Sequence, residues 1–198
     1  MWQLHNGVPH PRELLATLRV LVCTPPFRPH FPKVAKAILS RVKKFCILQV
    51  EDDPNDISLF AFAFKRELPH HILKSVTNGQ EARAYLVGEG EYANRDRHPF
   101  PDIVLLDLKL PDDDGFEILR WIREQSAMRS LVVLLFSASV FPGDVEKGLA
   151  LGANSYVAKF MDLDELAAFF RALEAYWFNF HLFHSPASLR LHGTPIAA

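Results

Sequence analysis

Glu51, Asp52, Asp53, Asp107, Ser137 and Lys159 each fall where a short apolar run ends. The run FCILQV (45–50) leads into the three acids, DIVLLD (102–107) ends in Asp107, LVVLLF (131–136) precedes Ser137, and NSYVAK (154–159) ends in Lys159. Brought together, the carboxylates would repel one another and raise the pKa of at least one unless a cation neutralised them. Oxygen-only ligands of this kind suit a hard ion that keeps some water, with Mg²⁺ the natural candidate. A carboxylate beside Mg²⁺ can attack a phosphoryl group while the metal, a lysine and a hydroxyl neutralise the charge spread over its equatorial oxygens. Taken singly, each residue has a plainer reading: an Asp after a strand forms a turn or caps a helix, and a lone Lys is a solvated charge. Their coincidence at four strand ends is what favours chemistry.

These positions depend on the elements that carry them. The four runs above and HILKSV (71–76) are too short for helices and rich in Val, Ile and Leu, as strands buried on both faces are. Between them lie segments with helical spacing of apolar residues, at about 55–67, 79–88, 115–125, 143–151 and 162–177. Five alternations of strand and helix select an α/β fold with a parallel sheet, because right-handed crossovers place helices on both faces. In an open sheet of this type the ligand site lies at the carboxyl ends of the strands, where the acids, Ser137 and Lys159 fall. The stretch 88–101 (GEGEYANRDRHPFP) reads as an extended loop.

The stretches ILQVEDDPND (47–56), DIVLLDLKLPDDDGFEILR (102–120), LVVLLFSAS (131–139) and GANSYVAK (152–159) resemble the receiver domains of two-component response regulators in order and spacing as well as residue type. Asp107 precedes Ser137 by 30 positions, and Ser137 precedes Lys159 by 22. The resemblance covers about 44–177 and implies a five-stranded doubly wound parallel sheet of order 2-1-3-4-5, the flavodoxin-like receiver fold. It implies that Asp107 accepts the phosphoryl group. Glu51, Asp52 and Asp107 would hold Mg²⁺ with the backbone carbonyl of Lys109. Ser137 and Lys159 would bind the phosphoryl group, and Tyr156 would be the switch aromatic that repacks as Ser137 moves. Asp53 reads as a helix cap, and Asp112, Asp113 and Asp114 as an acidic turn.

Two departures stand out against this family. Phe160 follows Lys159 where the family has proline, often in a cis peptide; a non-proline cis bond costs about 2.5–4 kcal/mol, so the loop geometry there is open. The connection before the phosphoacceptor strand is lengthened by 89–101, and with the Tyr176-Trp177 pair this looks like the single-domain regulators that accompany bacterial phytochrome histidine kinases.

The composition bounds the remaining readings. With 198 residues and 49% hydrophobic content the chain can bury one sizeable core. Residues 1–44 carry a balance of +7 and the rest −8. The basic arm lacks a Lys/Arg block, so nucleic-acid binding is not expected. Four prolines at 24–32 predict an extended linker, followed by a short basic helix over 33–43. Residues 1–43 thus form a poorly ordered extension, either a partner-binding arm or unselected sequence from an upstream start codon; 44–178 form the receiver, and 179–198 a tail too short for an effector domain.

Cys23 and Cys46 are isolated, and Cys46 reads as a small buried hydrophobe in a reduced, cytoplasmic setting. No apolar stretch approaches the length of a membrane span, and no membrane association is expected. His181 and His184 read as exposed tail residues.

Expected partners are a sensor histidine kinase, such as a phytochrome, or a phosphotransfer protein, together with a downstream protein and a second copy of the chain. Two other functions compete. A phosphohydrolase working through an aspartyl-phosphate commonly needs a second Asp two residues after the nucleophile, where this chain has Lys109. A pseudo-receiver that only binds partners would not need the intact set of Glu51, Asp52, Asp107, Ser137 and Lys159.

Overall fold

The computed structural model of the protein describes residues 44–111, 113–159, 162–179 and 181. The linker and basic helix expected within 1–43, and Cys23, Asp112, Phe160 and His184, lie outside the described residues. Five parallel strands alternate with five helices: β1 Cys46–Val50, α1 Pro54–Glu67, β2 Ile72–Val76, α2 Gly79–Val87, β3 Ile103–Leu106, α3 Gly115–Glu124, β4 Val132–Ser137, α4 Pro142–Ala150, β5 Ser155–Ala158 and α5 Leu163–Leu173. The sheet order is β2-β1-β3-β4-β5, as expected. A π-helical turn over Glu174–Phe178 ends α5, so the helix expected over 162–177 changes its winding in its last turn.

Alternation along the central strands explains the two-layer cover. Leu48, Val50, Val104, Leu106, Val133 and Leu135 point to one face, where they meet Ala82, Tyr85 and Leu86 of α2 and Ile118, Leu119 and Ile122 of α3. Ile47, Ile103, Leu105, Val132, Leu134 and Phe136 point to the other, against Phe60, Ala63 and Phe64 of α1 and Leu166, Phe170 and Leu173 of α5. A wholly buried Ile or Leu here contributes about 2 kcal/mol. Strands covered on both faces need no polar alternation, which is why they read as continuous apolar runs.

Four of the five helix starts follow the expected capping chemistry, and α4, which follows Phe141, has no side-chain cap. Asp53 caps α1, its Oδ1 accepting from the Asn55 amide at 2.7 Å, with Pro54 at the first helical position. Asn78, Asp114 and Asp162 cap α2, α3 and α5 in the same way. Cys46 is buried and its Sγ lies 3.7 Å from the Pro99 carbonyl; burial pushes its thiol pKa up to about 12.

Two expectations are corrected. The stretch 88–101 folds back as a compact connection rather than an extended loop. It contains a 3-10 turn over Gly90–Ala93, and the Arg95 guanidinium donates to the carbonyls of Tyr85 (2.7 Å) and Leu86 (2.8 Å), satisfying the last turn of α2. His181 is half-buried rather than exposed, with its ring centroid 4.6 Å from that of Trp177.

Candidate functional site

The sheet register fixes the site. Val50 pairs with Leu106, Leu106 with Leu135, and Ser137 with Ala158, so the carboxyl ends of β1, β3, β4 and β5 lie side by side. The ladder runs one residue beyond the strands: the amides of Glu51, Asp107 and Lys159 donate to the carbonyls of Val76 (3.0 Å), Val50 (3.0 Å) and Ser137 (2.9 Å). The candidate side chains therefore leave from backbone that continues the hydrogen-bonded ladder.

Asp107 is buried and both its oxygens are engaged. Its Oδ1 accepts from the amides of Leu108 (2.6 Å) and Lys109 (3.3 Å), and its Oδ2 from Lys159 Nζ (2.8 Å). The backbone turns tightly beneath it. A Cβ on Gly115 would stand 2.2 Å from the Asp107 carbonyl oxygen, so only glycine fits there, and the Gly115 amide donates to the Leu108 carbonyl at 3.0 Å.

Glu51 is buried beside it, its Oε2 2.6 Å from Lys159 Nζ and its Oε1 accepting from the Asp53 amide. Burial pushes the Glu51 carboxyl up, with the hydrogen bond from Lys159 pulling against that rise. Burial acts to lower the Lys159 ammonium, but its hydrogen bonds to Asp107, Asp56 and Glu51 outweigh it and hold the pKa above the ordinary lysine value. Lys159 is thus a permanent cation among carboxylates.

Glu51, Asp52 and Asp107 each place an oxygen within 4.8 Å of the others. Asp52 is exposed, which opens the cluster to solvent. These three carboxylates share one ammonium, which Asp56 also claims, so the cluster is left net negative, and hard oxygen donors with an open side match a divalent cation that keeps part of its water shell. Lys109 lies beside this cluster through its amide, with its side chain in solvent.

Ser137 is buried at the end of β4, and its Oγ accepts from the Ser139 amide at 3.3 Å. The Ser139 carbonyl in turn accepts from the Tyr156 hydroxyl at 2.9 Å. Tyr156 is half-buried and packs against the core. Ser139 therefore links the Ser137 hydroxyl to the Tyr156 ring through a single peptide segment.

Asp53, Asp113 and Asp114 have other partners than the metal cluster. Asp53 caps α1, Asp114 caps α3, and Asp113 pairs with Arg83 of α2. Asp56, which nothing in the sequence marks, joins the site: its Oδ2 lies 2.8 Å from Lys159 Nζ. In sequence Asp56 is only an acid in the first turn of a helix, where the helix dipole favours it. The contact spans 103 residues and carries no local signal.

Residues 47–171 match the model of the response regulator receiver domain. Response regulator Rcp1 of Synechocystis sp. is 33% identical over 131 residues, which cover 66% of this chain and 87% of that protein. The crystal structure of the phosphorylated cyanobacterial phytochrome response regulator RcpA is similar with a TM-score of 0.65 and 34% identity, over 72% of this chain and all of that one. The Mn²⁺-bound form of Rcp1 gives a TM-score of 0.62 and 30% identity, over 71% of this chain and 99% of that one. With the family match covering most of the chain, the sheet order and the acidic cluster at the strand ends, this protein belongs to the response regulator receiver domain family of two-component systems.

Proposed function

We propose that the chain is a single-domain response regulator that takes a phosphoryl group onto Asp107 with Mg²⁺ and signals through a change of surface. The observation that carries this reading is the state of Asp107: a buried carboxylate whose Oδ1 is fixed by two amides and whose Oδ2 faces Lys159, beside Glu51 and Asp52. Glu51, Asp52, Asp107 and the Lys109 carbonyl would hold the ion, which would offset the charge of the incoming phosphoryl oxygens. An Asp107 oxygen attacks phosphorus, the bond from phosphorus to the donor's leaving atom breaks, and its electron pair stays with the donor. Lys159 and the Ser137 hydroxyl then take up phosphoryl oxygens.

Movement of Ser137 toward the phosphoryl group gives up its bond with the Ser139 amide, and the Tyr156 hydroxyl is bonded to the carbonyl of that same residue. Tyr156 repacks as Ser139 shifts, which alters the face formed by the β4-α4 connection and β5. Apolar side chains already stand exposed on that connection, at Val140 and Phe141, and on α4 at Leu149. The chain is on this reading a switch and not a turnover enzyme: Lys109 stands two residues after Asp107, where aspartyl-phosphate hydrolases commonly place a second Asp.

The likeness to Rcp1 and RcpA, the latter described as a phytochrome response regulator, supports a sensor histidine kinase of the phytochrome type as donor, directly or through a phosphotransfer protein. Readout is by a downstream protein or a second copy of the chain, in the cytoplasm, with no role for nucleic acid or membrane. Among the described residues no helix is long and apolar enough to cross a membrane. The receiver occupies 44–178, flanked by an extension over 1–43 and a tail over 179–198.

Intact mass after incubation with acetyl phosphate and Mg²⁺ tests the reading. The wild type gains one adduct of about 80 Da and folded Asp107→Asn gains none. An adduct that survives the substitution removes Asp107 from its role. No adduct on folded wild type leaves the pseudo-receiver.

A further inference from the structure

We infer that Asp56 is a positioning residue for Lys159, the anchor that keeps its ammonium at the site when a divalent ion takes over Glu51 and Asp107. The inference rests on the reading of this cluster as a Mg²⁺ site. An ammonium has three N–H donors, and Lys159 meets three carboxylates: Glu51 at 2.6 Å, Asp56 at 2.8 Å and Asp107 at 2.8 Å. Two of the three acceptors belong to the group of oxygens that can hold a metal; Asp56 does not.

The three acids also differ in exposure. The side chains of Glu51 and Asp107 are 3% and 7% exposed, whereas that of Asp56 is 42% exposed on the first turn of α1. A cation bound to Glu51 and Asp107 withdraws their charge from Lys159 and repels its ammonium, which is itself only 12% exposed. A charge that poorly hydrated needs a remaining partner. Asp56 keeps its water on one side and its bond to Lys159 on the other, so it can serve as that partner without taking part in metal binding.

Inward, the ammonium meets mostly apolar walls. The gap beside Asp56 and Lys159, lined also by Gln49, Leu59, Phe60 and Phe136, has a volume of about 10 Å³, room for one water at most. Lys159 therefore either holds Asp56 or swings out to solvent, away from Asp107. Held by Asp56, it stays where an arriving phosphoryl oxygen can replace its lost Asp107 bond.

The test is a double-mutant cycle read by calorimetric titration with Mg²⁺ alone. Asp56→Asn weakens Mg²⁺ binding about five-fold, because Lys159, left without its outside anchor, holds Glu51 and Asp107 against the ion. Asp56→Glu restores most of the affinity. In a Lys159→Met background, Asp56→Asn changes nothing further. Equal weakening in both backgrounds would show that Asp56 acts only through its field, and no weakening in either would show that it anchors nothing; each outcome overturns the inference.

A second readout needs no change at Lys159. Its side-chain ammonium resonance persists at saturating Mg²⁺ in the wild type and is lost to solvent exchange in Asp56→Asn; a resonance indifferent to the substitution also overturns the proposal. If folded wild type neither binds Mg²⁺ nor becomes labelled by acetyl phosphate, the reading of the site fails and takes this inference with it. If it does both and the cycle is additive, only the role of Asp56 fails.

Discussion

The two ends of this sheet both bury ionisable groups, and they treat them differently. At the amino end, main-chain amides meet such groups: Asp102 Oδ2 accepts from the Cys46 amide at 2.9 Å, and His71 Nδ1 from the Phe45 amide at 3.3 Å, with the imidazole packed between the rings of Phe45 and Phe178 and its Nε2 3.8 Å from Glu174. At the carboxyl end, Glu51 and Asp107 face each other across one ammonium, and Asp52 stands open to solvent beside them. A backbone amide is a partner that cannot leave. A lysine side chain can give way to a metal ion, and can itself trade a carboxylate for a phosphoryl oxygen, so the carboxyl end keeps charges whose partners are replaceable. Burial of charge alone does not mark a site; burial against a displaceable partner does.

This contrast sets an order of effects. Lys159→Met strips the carboxyl end of its counter-ion and leaves the buried Glu51 and Asp107 with main-chain donors alone. The metal-free protein should lose about 3 kcal/mol in urea unfolding, and Mg²⁺ should return much of it. A loss that Mg²⁺ leaves untouched would mean that Lys159 and the ion do not share these carboxylates.

Asp102→Ala leaves the Cys46 amide without its acceptor in the interior at a cost of about 2 kcal/mol. Here the loss should be the same with and without Mg²⁺, and a metal-dependent loss would erase the distinction between the ends. Tyr156→Phe is smaller, about 0.5 kcal/mol for a half-buried hydroxyl bonded to a carbonyl. Its larger consequence should be a weaker response of the α4 face to phosphorylation, read by amide exchange over 138–150; an unchanged response would take Tyr156 out of the switch.

The smallest effect is a pH dependence at the amino end. Burial lowers the pKa of His71, with Glu174 opposing. Its neutral form is favoured by the fold, so its contribution to stability is complete above the ordinary value of 6.5 and is lost as pH falls through 6.5 toward the lowered folded pKa. Between about pH 7.5 and 5.5 the wild type should lose more stability than His71→Gln. Equal losses would place the proton elsewhere.

The elements were legible because strand and helix leave different periods in a chain, and because both faces of this sheet are covered. The candidate site was legible because strand ends in a parallel sheet converge: Glu51, Asp107, Ser137 and Lys159 needed only to end their runs to meet. Side-chain packing outside the strands was less so. The stretch 88–101 is polar enough to read as extended, yet Arg95 ties it down through carbonyls that any residue would offer. α3 and α4 look alike as short amphipathic segments, but α3 buries Phe116, Ile118, Leu119 and Ile122, whereas α4 buries only Gly148 and leaves Leu149 exposed.

The sequence by itself determined the order of elements, the parallel sheet and the identity of the residues at its carboxyl edge, because periodicity and spacing are properties of the chain. Only the tertiary structure decided which charges share a partner. Asp56 and Lys159 meet across 103 residues, and Ser139 joins Ser137 to Tyr156 through bonds made by main-chain atoms. Such contacts depend on the distances and angles between packed elements, and one-dimensional spacing does not encode them.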